Sequence, residues 1–389
     1  MKKRFLLPIL LFTFFFSNAS FAQDSCALRI SVLTCGVGEE LYSSYGHSAV
    51  RIIDSCKATD IVYNYGTFNF GDPDFYMKFT KGKLLYYLND EGFDDFMGLY
   101  VYDKRSVIEQ VINVNQQDAA LIAAFLQDNL KEANKYYKYD FLFDNCSTRI
   151  RDLFAKLFKD RIHFSQIISN DSVTFRTLLN HYERNVHWER VGINLLMSHV
   201  VDQKMKSYES MFLPDYLMKG FALATLDGNK LVGETKILLA DGQFTQNKLN
   251  EPRLYLWLLT GIIFLCSFSK KMEIPLRFFD VLFFMLLGLL GCLMLFMWFG
   301  TEHKVCARNL NLLWAFPLHL IAAFMIPRNW KHTATYAKYT SWLLIGAVFY
   351  NLFADQKYIV EVTPVIILIL LRLNHYSKQM KYLSFKKYA

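Results

Sequence analysis

Two residues carry the clearest suggestion of chemistry. Cys146 stands in Asp144-Asn145-Cys146-Ser147-Thr148, at the head of a segment whose apolar residues Ile150, Leu153, Phe154, Leu157 and Phe158 have the spacing of one buried helix face. Asn145 is a favoured N-cap. A thiol in the first turn feels the positive end of the helix dipole, which stabilises thiolate and lowers its pKa. The N–H groups of the same turn could receive an oxyanion formed during acyl transfer. The competing reading of Cys146 is a buried structural cysteine. His47 tilts the choice. In Tyr45-Gly46-His47-Ser48 it opens a strand pattern beside a glycine that allows close approach, and an imidazole facing a thiol can act as general base and later as general acid.

A third residue would orient the imidazole. Asn64, on the strand after His47, is the favoured candidate, and Tyr65, with the opposite side-chain direction, is the alternative. Cys35, in Thr34-Cys35-Gly36-Val37-Gly38, is the rival nucleophile, but it precedes a glycine-rich turn rather than a helix start. That Gly-x-Gly is too short to mean phosphate binding. The other cysteines are Cys26, Cys56, Cys266, Cys292 and Cys306, without a Cys-x-x-Cys pair, so neither a metal site nor a cofactor is expected. The short spacing of Cys26, Cys35 and Cys56 is compatible with a disulfide among them.

These residues need a scaffold. Alternation predicts strands over Leu28–Val32, His47–Ile53, Asp60–Tyr65, Lys83–Leu88 and Ser106–Val114. Helices are expected over Gln117–Lys131, from about Cys146 onward, and over 172–184 and 207–222. Strands gathered ahead of helices make an α+β domain. Papain-like folds pair a cysteine at a helix N-terminus with a histidine on a neighbouring strand. Here the histidine precedes the cysteine by 99 residues, so a circularly permuted papain-like (NlpC/P60-like) domain is expected.

Composition says where such a domain sits. The 389 residues are 53% hydrophobic and 16% aromatic, which rules out a disordered chain. A mean hydropathy of +0.15 is too apolar for an ordinary soluble enzyme and too polar for a protein that is membrane throughout. The net charge of +8 is unevenly spread: residues 1–252 hold 28 Lys/Arg against 30 Asp/Glu, and residues 253–389 hold 15 against 5. The basic excess lies in the apolar third, which points to membrane topology and away from nucleic acid. Lys2, Lys3 and Arg4, the apolar run Phe5–Phe16 and Ser20-Phe21-Ala22 read as a signal peptide over residues 1–22. Residues 23–252 then form an exported domain, and residues 253–389 a helical membrane domain of about five spans. These lie near 254–269, 276–299, 309–327, 339–354 and 359–373. With the domain before residue 253 outside, 11 of the 15 basic residues of the tail fall on the cytoplasmic side, C-terminus included. Thr301-Glu302-His303 and Asn309-Leu310-Asn311 flank an outer loop, either as a lipid-headgroup site or as ordinary interfacial residues.

Ser43-Ser44-Tyr45-Gly46-His47-Ser48-Ala49-Val50-Arg51, Tyr63-Asn64-Tyr65-Gly66-Thr67-Phe68 and Asp144-Asn145-Cys146-Ser147-Thr148-Arg149 together resemble the DUF4105, or Lnb N-terminal periplasmic, family. Met211-Phe212-Leu213-Pro214 looks like a later signature of it, and the tail with Asn309-Leu310-Asn311-Leu312-Leu313-Trp314 resembles the membrane part of full-length members. The resemblance implies a lipoprotein N-acyltransferase of the inner membrane. Its acyl donor would be a membrane phospholipid, its acceptor a diacylated apolipoprotein, and it would need no cofactor. Cys146 matches the nucleophile and His47 its base, while Asn64, Tyr65 and Arg51 match motif positions. Tyr45, Arg51, Tyr65, Asn145 and Ser147 are then expected to contact substrate beside the pair, and His303, Asn309 and Asn311 at the membrane face. Two other classes stay open: a membrane-tethered cysteine hydrolase using the same pair with water as acceptor, and a non-enzymatic sensor or scaffold.

Overall fold

The computed structural model describes residues 27–168, 173–240, 249–328, 330 and 332–388; the expected signal peptide and Cys26 lie outside them. Six strands come first: β1 (Leu28–Cys35), β2 (His47–Asp54), β3 (Thr59–Thr67), β4 (Leu85–Gly92), β5 (Val107–Ile112) and β6 (Tyr136–Lys138). Three short strands, β7 (Ile162–His163), β8 (Thr225–Leu226) and β9 (Asn229–Lys230), make a small separate sheet. With β10 (Val232–Leu239), the first six form an antiparallel sheet in the order β10-β5-β1-β2-β3-β4-β6.

Both faces of this sheet are covered. The helices of this half are α1 (Phe75–Thr80), α2 (Phe93–Tyr102), α3 (Gln116–Leu130), α4 (Cys146–Phe158), α5 (Phe175–Tyr182), α6 (His187–Leu196), α7 (Ser207–Ser210) and α8 (Pro214–Leu223). On one face α3, α4 and α8 pack against Val32, Val50, Tyr63 and Tyr65; on the other, α2 packs against Leu33, Ala49 and Val62. Successive strand residues point to opposite faces, so neighbours such as Val32 and Leu33 feed different cores. The apolar stripe of α4 is the stripe read from the sequence: Ile150, Leu153, Phe154 and Phe158 are all buried. Each such phenylalanine contributes about 1.5–3 kcal/mol of burial. An α+β domain is therefore present. Its α2, α6 and edge strand β10 were not expected from the sequence. β10 carries Glu234 and Lys236, and none of its residues is fully buried, so its apolar alternation is weak, as suits an edge.

The C-terminal half holds α9 (Glu251–Cys266), α10 (Glu273–Phe299), α11 (His319–Met325), α12 (Thr333–Asn351) and α13 (Val362–Tyr388). Among the described residues, one helical stretch, Lys270–Phe299, is long and apolar enough by length and composition to cross a membrane. The expected span at 309–327 is not one helix. A single turn, Leu310–Leu313, and the short α11 are separated around Pro317, which lacks an N–H and disfavours helix in the residue before it. This broken segment is buried against α10: Trp314, Ala315 and His319 are almost inaccessible. Gly288 and Gly291 of α10 make room for it, since a Cβ at Gly291 would stand 2.3 Å from the Ala315 carbonyl oxygen.

The two halves meet through α6. Leu195 and Leu196 pack against the core formed by α10 to α13, and Arg190 pairs with Glu361 at 2.7 Å.

Candidate active site

The local sequence around Cys146 folds as a capped helix start. The Asn145 side chain accepts from the Ser147 and Thr148 N–H groups, both at 2.9 Å, and the Thr148 hydroxyl accepts from the Asn145 N–H at 2.7 Å. This reciprocal cap leaves the Cys146 N–H as the first-turn donor that the cap does not engage. His47 begins β2, and its ring and the Cys146 thiol are close enough to act on each other electrostatically. The His47 Nε2 lies 3.1 Å from Asn64 Oδ1. With Nε2–H donating to Asn64, the Nδ1 side of the ring is left for sulfur.

The β2–β3 register decides which of Asn64 and Tyr65 shares the His47 face. Val50 pairs with Tyr63, so Asn64 projects on the face that carries Ala49 and His47, while Tyr65 projects into the opposite core. Asn64 in turn donates to Glu91 Oε1 at 2.8 Å, making a line Cys146–His47–Asn64–Glu91. Glu91 lies beyond the strand expected over Lys83–Leu88, in the polar run Asn89-Asp90-Glu91-Gly92. It is the end of β4, and Glu91 pairs with Val62 of β3.

The electrostatics favour an ion pair. Burial opposes a charged Cys146, yet the His47 charge and hydrogen bond, the Ser48 N–H and the Ser147 hydroxyl outweigh it and bring the thiol below its ordinary value. Burial likewise opposes a charged His47, but the facing Cys146 and then Asn64 hold the imidazole above its ordinary value. Cys35 behaves in the opposite way: burial pushes its thiol up to about 12, which leaves it neutral and a poor nucleophile. Cys56 is disulfide-bonded, whereas Cys35 is a free thiol outside any bridge.

Gly66 brings the backbone of β3 close to both Cys146 and a buried tyrosine hydroxyl. Gly66 adopts φ +91°, and a Cβ there would stand 3.9 Å from both Cys146 Cβ and the Tyr137 hydroxyl. The Tyr137 hydroxyl is buried without a hydrogen-bond partner among the described residues. Burial holds it protonated, as a donor. The Arg149 guanidinium stacks 3.5 Å from the Tyr137 ring centre and is itself fixed by Asp144.

The structure gives the other expected contact residues different tasks. Tyr45 donates its hydroxyl to Glu183 and packs on Phe141. Arg51 is buried on Asp60, Glu109 and the Phe93 ring. Tyr65 is buried in the core beside Tyr137. Asn145 is consumed by the cap and by the Phe141 and Phe212 carbonyls, and Ser147 by Ser48 at 2.9 Å. At the membrane-side loop, Asn309 and Asn311 donate to the Leu195 and Leu196 carbonyls, the last carbonyls of α6, which have no partner within their own helix. They clamp the two halves together. His303 faces the Phe79 carbonyl oxygen at 3.2 Å.

The roles within the line are separable. Asn64→Ala deprives the imidazole of an oriented hydrogen bond to a charged partner, worth about 1.5–3 kcal/mol. Alkylation of Cys146 by iodoacetamide at pH 6 should slow by about 10- to 100-fold in that variant, with the helical circular dichroism unchanged. An unaltered rate would remove Asn64 from the site.

The described residues contain no group of His, Cys, Asp and Glu able to hold a metal ion. No curated protein and no solved structure matches the chain. Two family profiles do: the Lnb N-terminal periplasmic domain over residues 16–181 and the Lnb transmembrane domain over residues 244–382. Both halves being matched in order, the chain belongs to the Lnb family, a periplasmic domain joined to a transmembrane domain, and this membership points to a membrane-associated enzyme of lipoprotein processing.

Proposed function

We propose that this protein is a lipoprotein N-acyltransferase that works by a covalent, two-step route. The observation that carries the reading is the polarised line from Cys146 through His47 and Asn64, set at a capped helix start in a domain clamped to the membrane part. In the first step the Cys146 thiolate attacks the carbonyl carbon of a phospholipid acyl ester. The tetrahedral oxyanion collapses, the C–O bond breaks, and the His47 imidazolium gives its proton to the leaving lysophospholipid oxygen. In the second step the neutral α-amine of a diacylglyceryl-cysteine attacks the thioester, His47 takes the amine proton, and thiolate leaves. Covalent catalysis divides one difficult transfer between two poorly reactive partners into two easier ones.

The same reading gives the scaffold its meaning. Histidine and asparagine strands preceding the cysteine helix fit a circularly permuted papain-like order. An inner-membrane, multi-pass topology with the catalytic domain in the periplasm suits two lipid substrates, and the basic residues on the cytoplasmic side support that orientation. The Cys146 N–H and the Tyr137 hydroxyl are the donors best placed for the oxyanion.

Mass spectrometry of lipoprotein N-termini tests the activity. In cells lacking any other N-acyltransferase, Cys146→Ala should leave lipoproteins diacylated, and persistent triacylation would end the proposal. Free fatty acid appearing in place of N-acylated lipoprotein would identify a hydrolase. For the oxyanion, Tyr137→Phe should lower kcat by about 100- to 1,000-fold. Because that hydroxyl is unpaired, its loss should leave Tm unchanged or slightly raised. A variant with wild-type kcat would exclude Tyr137.

A further inference from the structure

The loop between β3 and β4, with α1 at its centre, exposes an unusual amount of aromatic surface: Phe70 is 66% accessible, Tyr76 80%, Met77 55% and Phe79 51%. Side chains of this kind at the surface of a water-facing loop carry a cost in water that a covering surface would relieve. The structure indicates what covers them. The Glu302 N–H donates to the Lys81 carbonyl at 2.9 Å, Lys138 pairs with Glu302 at 2.6 Å, and His303 meets the Phe79 carbonyl. Gly82, at φ +68°, permits this approach, since a Cβ there would stand 3.3 Å from the His303 ring. Glu302 follows the end of α10 by three residues, a reach of about 10 Å at most. That end carries Trp298 stacked on Phe299, which is 74% accessible, the aromatic pair expected where a span leaves the bilayer. The loop is thus held beside the end of the one described helical stretch long and apolar enough to cross a membrane.

A continuous run of ring contacts leads inward from it. Phe79 touches Phe75 (6.1 Å between centroids), Phe75 touches Phe68 (5.8 Å), Phe68 touches Tyr86 (5.3 Å) and Tyr86 stacks on Tyr139 (4.5 Å). Tyr139 borders the space beside Gly66 and Cys146.

We propose that the 68–83 loop is an interfacial element which enters the outer leaflet beside α10, and that its aromatic run conducts a phospholipid acyl chain from that leaflet to Cys146. The second half of this statement rests on the acyl-transfer reading; the first does not. Phospholipid is the occupant because the loop is continuous with the membrane-spanning half.

The test uses the full-length protein in phospholipid nanodiscs. A photoreactive benzoylphenylalanine replaces Tyr76 in one sample and Leu121, an exposed residue of α3, in another. A phospholipid adduct is expected at position 76 and not at position 121. Cross-linking of position 76 to polypeptide alone, or equal lipid labelling at both positions, would overturn the membrane contact. In a second measurement, Tyr76, Met77 and Phe79 are all changed to Ser. Acylation of Cys146 by bilayer phospholipid should fall about tenfold or more. Alkylation of the same thiol by iodoacetamide should keep its rate, showing that the site is intact. Unchanged acylation overturns the path. The photo-adduct is read whether or not Cys146 is ever acylated, so failure of the acyl-transfer reading and failure of the loop's membrane contact give different results.

Discussion

Protein reconstituted with phospholipid and without an acceptor should accumulate one acyl group on Cys146, and Cys146→Ala should accumulate none. The adduct is a thioester, so neutral hydroxylamine should remove it and restore an alkylatable thiol. Adding a diacylated lipopeptide with a free α-amine should discharge it, with the acyl chain recovered on nitrogen. Steady-state N-acylation by Cys146→Ala should fall by at least about 10⁴-fold, because the covalent route is lost as a whole. The substitution removes a small buried side chain at a helix start whose cap is made by Asn145 and Thr148, so the fold should persist. A Cys146→Ala protein that still transferred acyl chains would place the chemistry elsewhere, and Cys35, buried and neutral, offers no substitute.

His47→Ala should lower turnover by about 10²- to 10⁴-fold, the usual weight of a general acid–base group, and should also change how Cys146 responds to pH. In the wild type the facing imidazolium keeps the thiol below its ordinary value, so alkylation should stay fast as pH falls through the range where a free thiol has already protonated. Burial is the largest influence on Cys146 and acts in the other direction. Once His47 is gone, burial dominates, the thiol rises, and the acid limb of the alkylation profile should move to higher pH. In the proposed mechanism the alkaline limb of kcat reports loss of the imidazolium that protonates the leaving group. Because His47 is held above its ordinary value, that limb should lie at higher pH than for a free imidazole. The two limbs belong to the coupled pair and not to either residue alone. Equal alkylation profiles for wild type and His47→Ala would show that the ring does not act on the sulfur.

Much of the site was legible because its signals are local. A cap, a cysteine and an apolar stripe fall within fifteen residues, from Asp144 to Phe158, and α4 begins at Cys146. His47 at the start of a strand is equally local, and β2 begins there. Asn64 against Tyr65 was a choice that side-chain alternation could pose but not decide, since the answer lies in the pairing of Val50 with Tyr63. Glu91 and Tyr137 were invisible. Glu91 sits in a polar run that resists a strand assignment, and Tyr137 matters for the hydrogen bond its hydroxyl does not make.

The polar motif residues share a structural task. Arg51, Asn145, Ser147, Asn309 and Asn311 looked available for substrate because each is polar and stands in a distinctive motif. Each is buried and spent on satisfying other buried groups. A buried carbonyl without a donor costs free energy comparable to a lost hydrogen bond, so a fold recruits such side chains wherever helix ends are covered. The same holds for the expected third span, where Pro317 and the glycines of α10 let a broken backbone lie buried against a helix.

The sequence by itself determined the division into a near-neutral exported part and a basic apolar tail, the capped helix start at Cys146, and the strand that carries His47. These depend on composition, charge and periodicity over stretches no longer than one element. Tertiary structure alone decided that His47 comes to act on Cys146 from 99 residues away, that Asn64 and Glu91 stand behind it, that the Tyr137 hydroxyl and Cys146 lie on either side of Gly66, and that the aromatic loop is tied to the end of α10. Those relations are set by strand register and by the matching of buried donors to distant acceptors, which follow from the packing of the whole chain and leave no periodic trace in any one part of it.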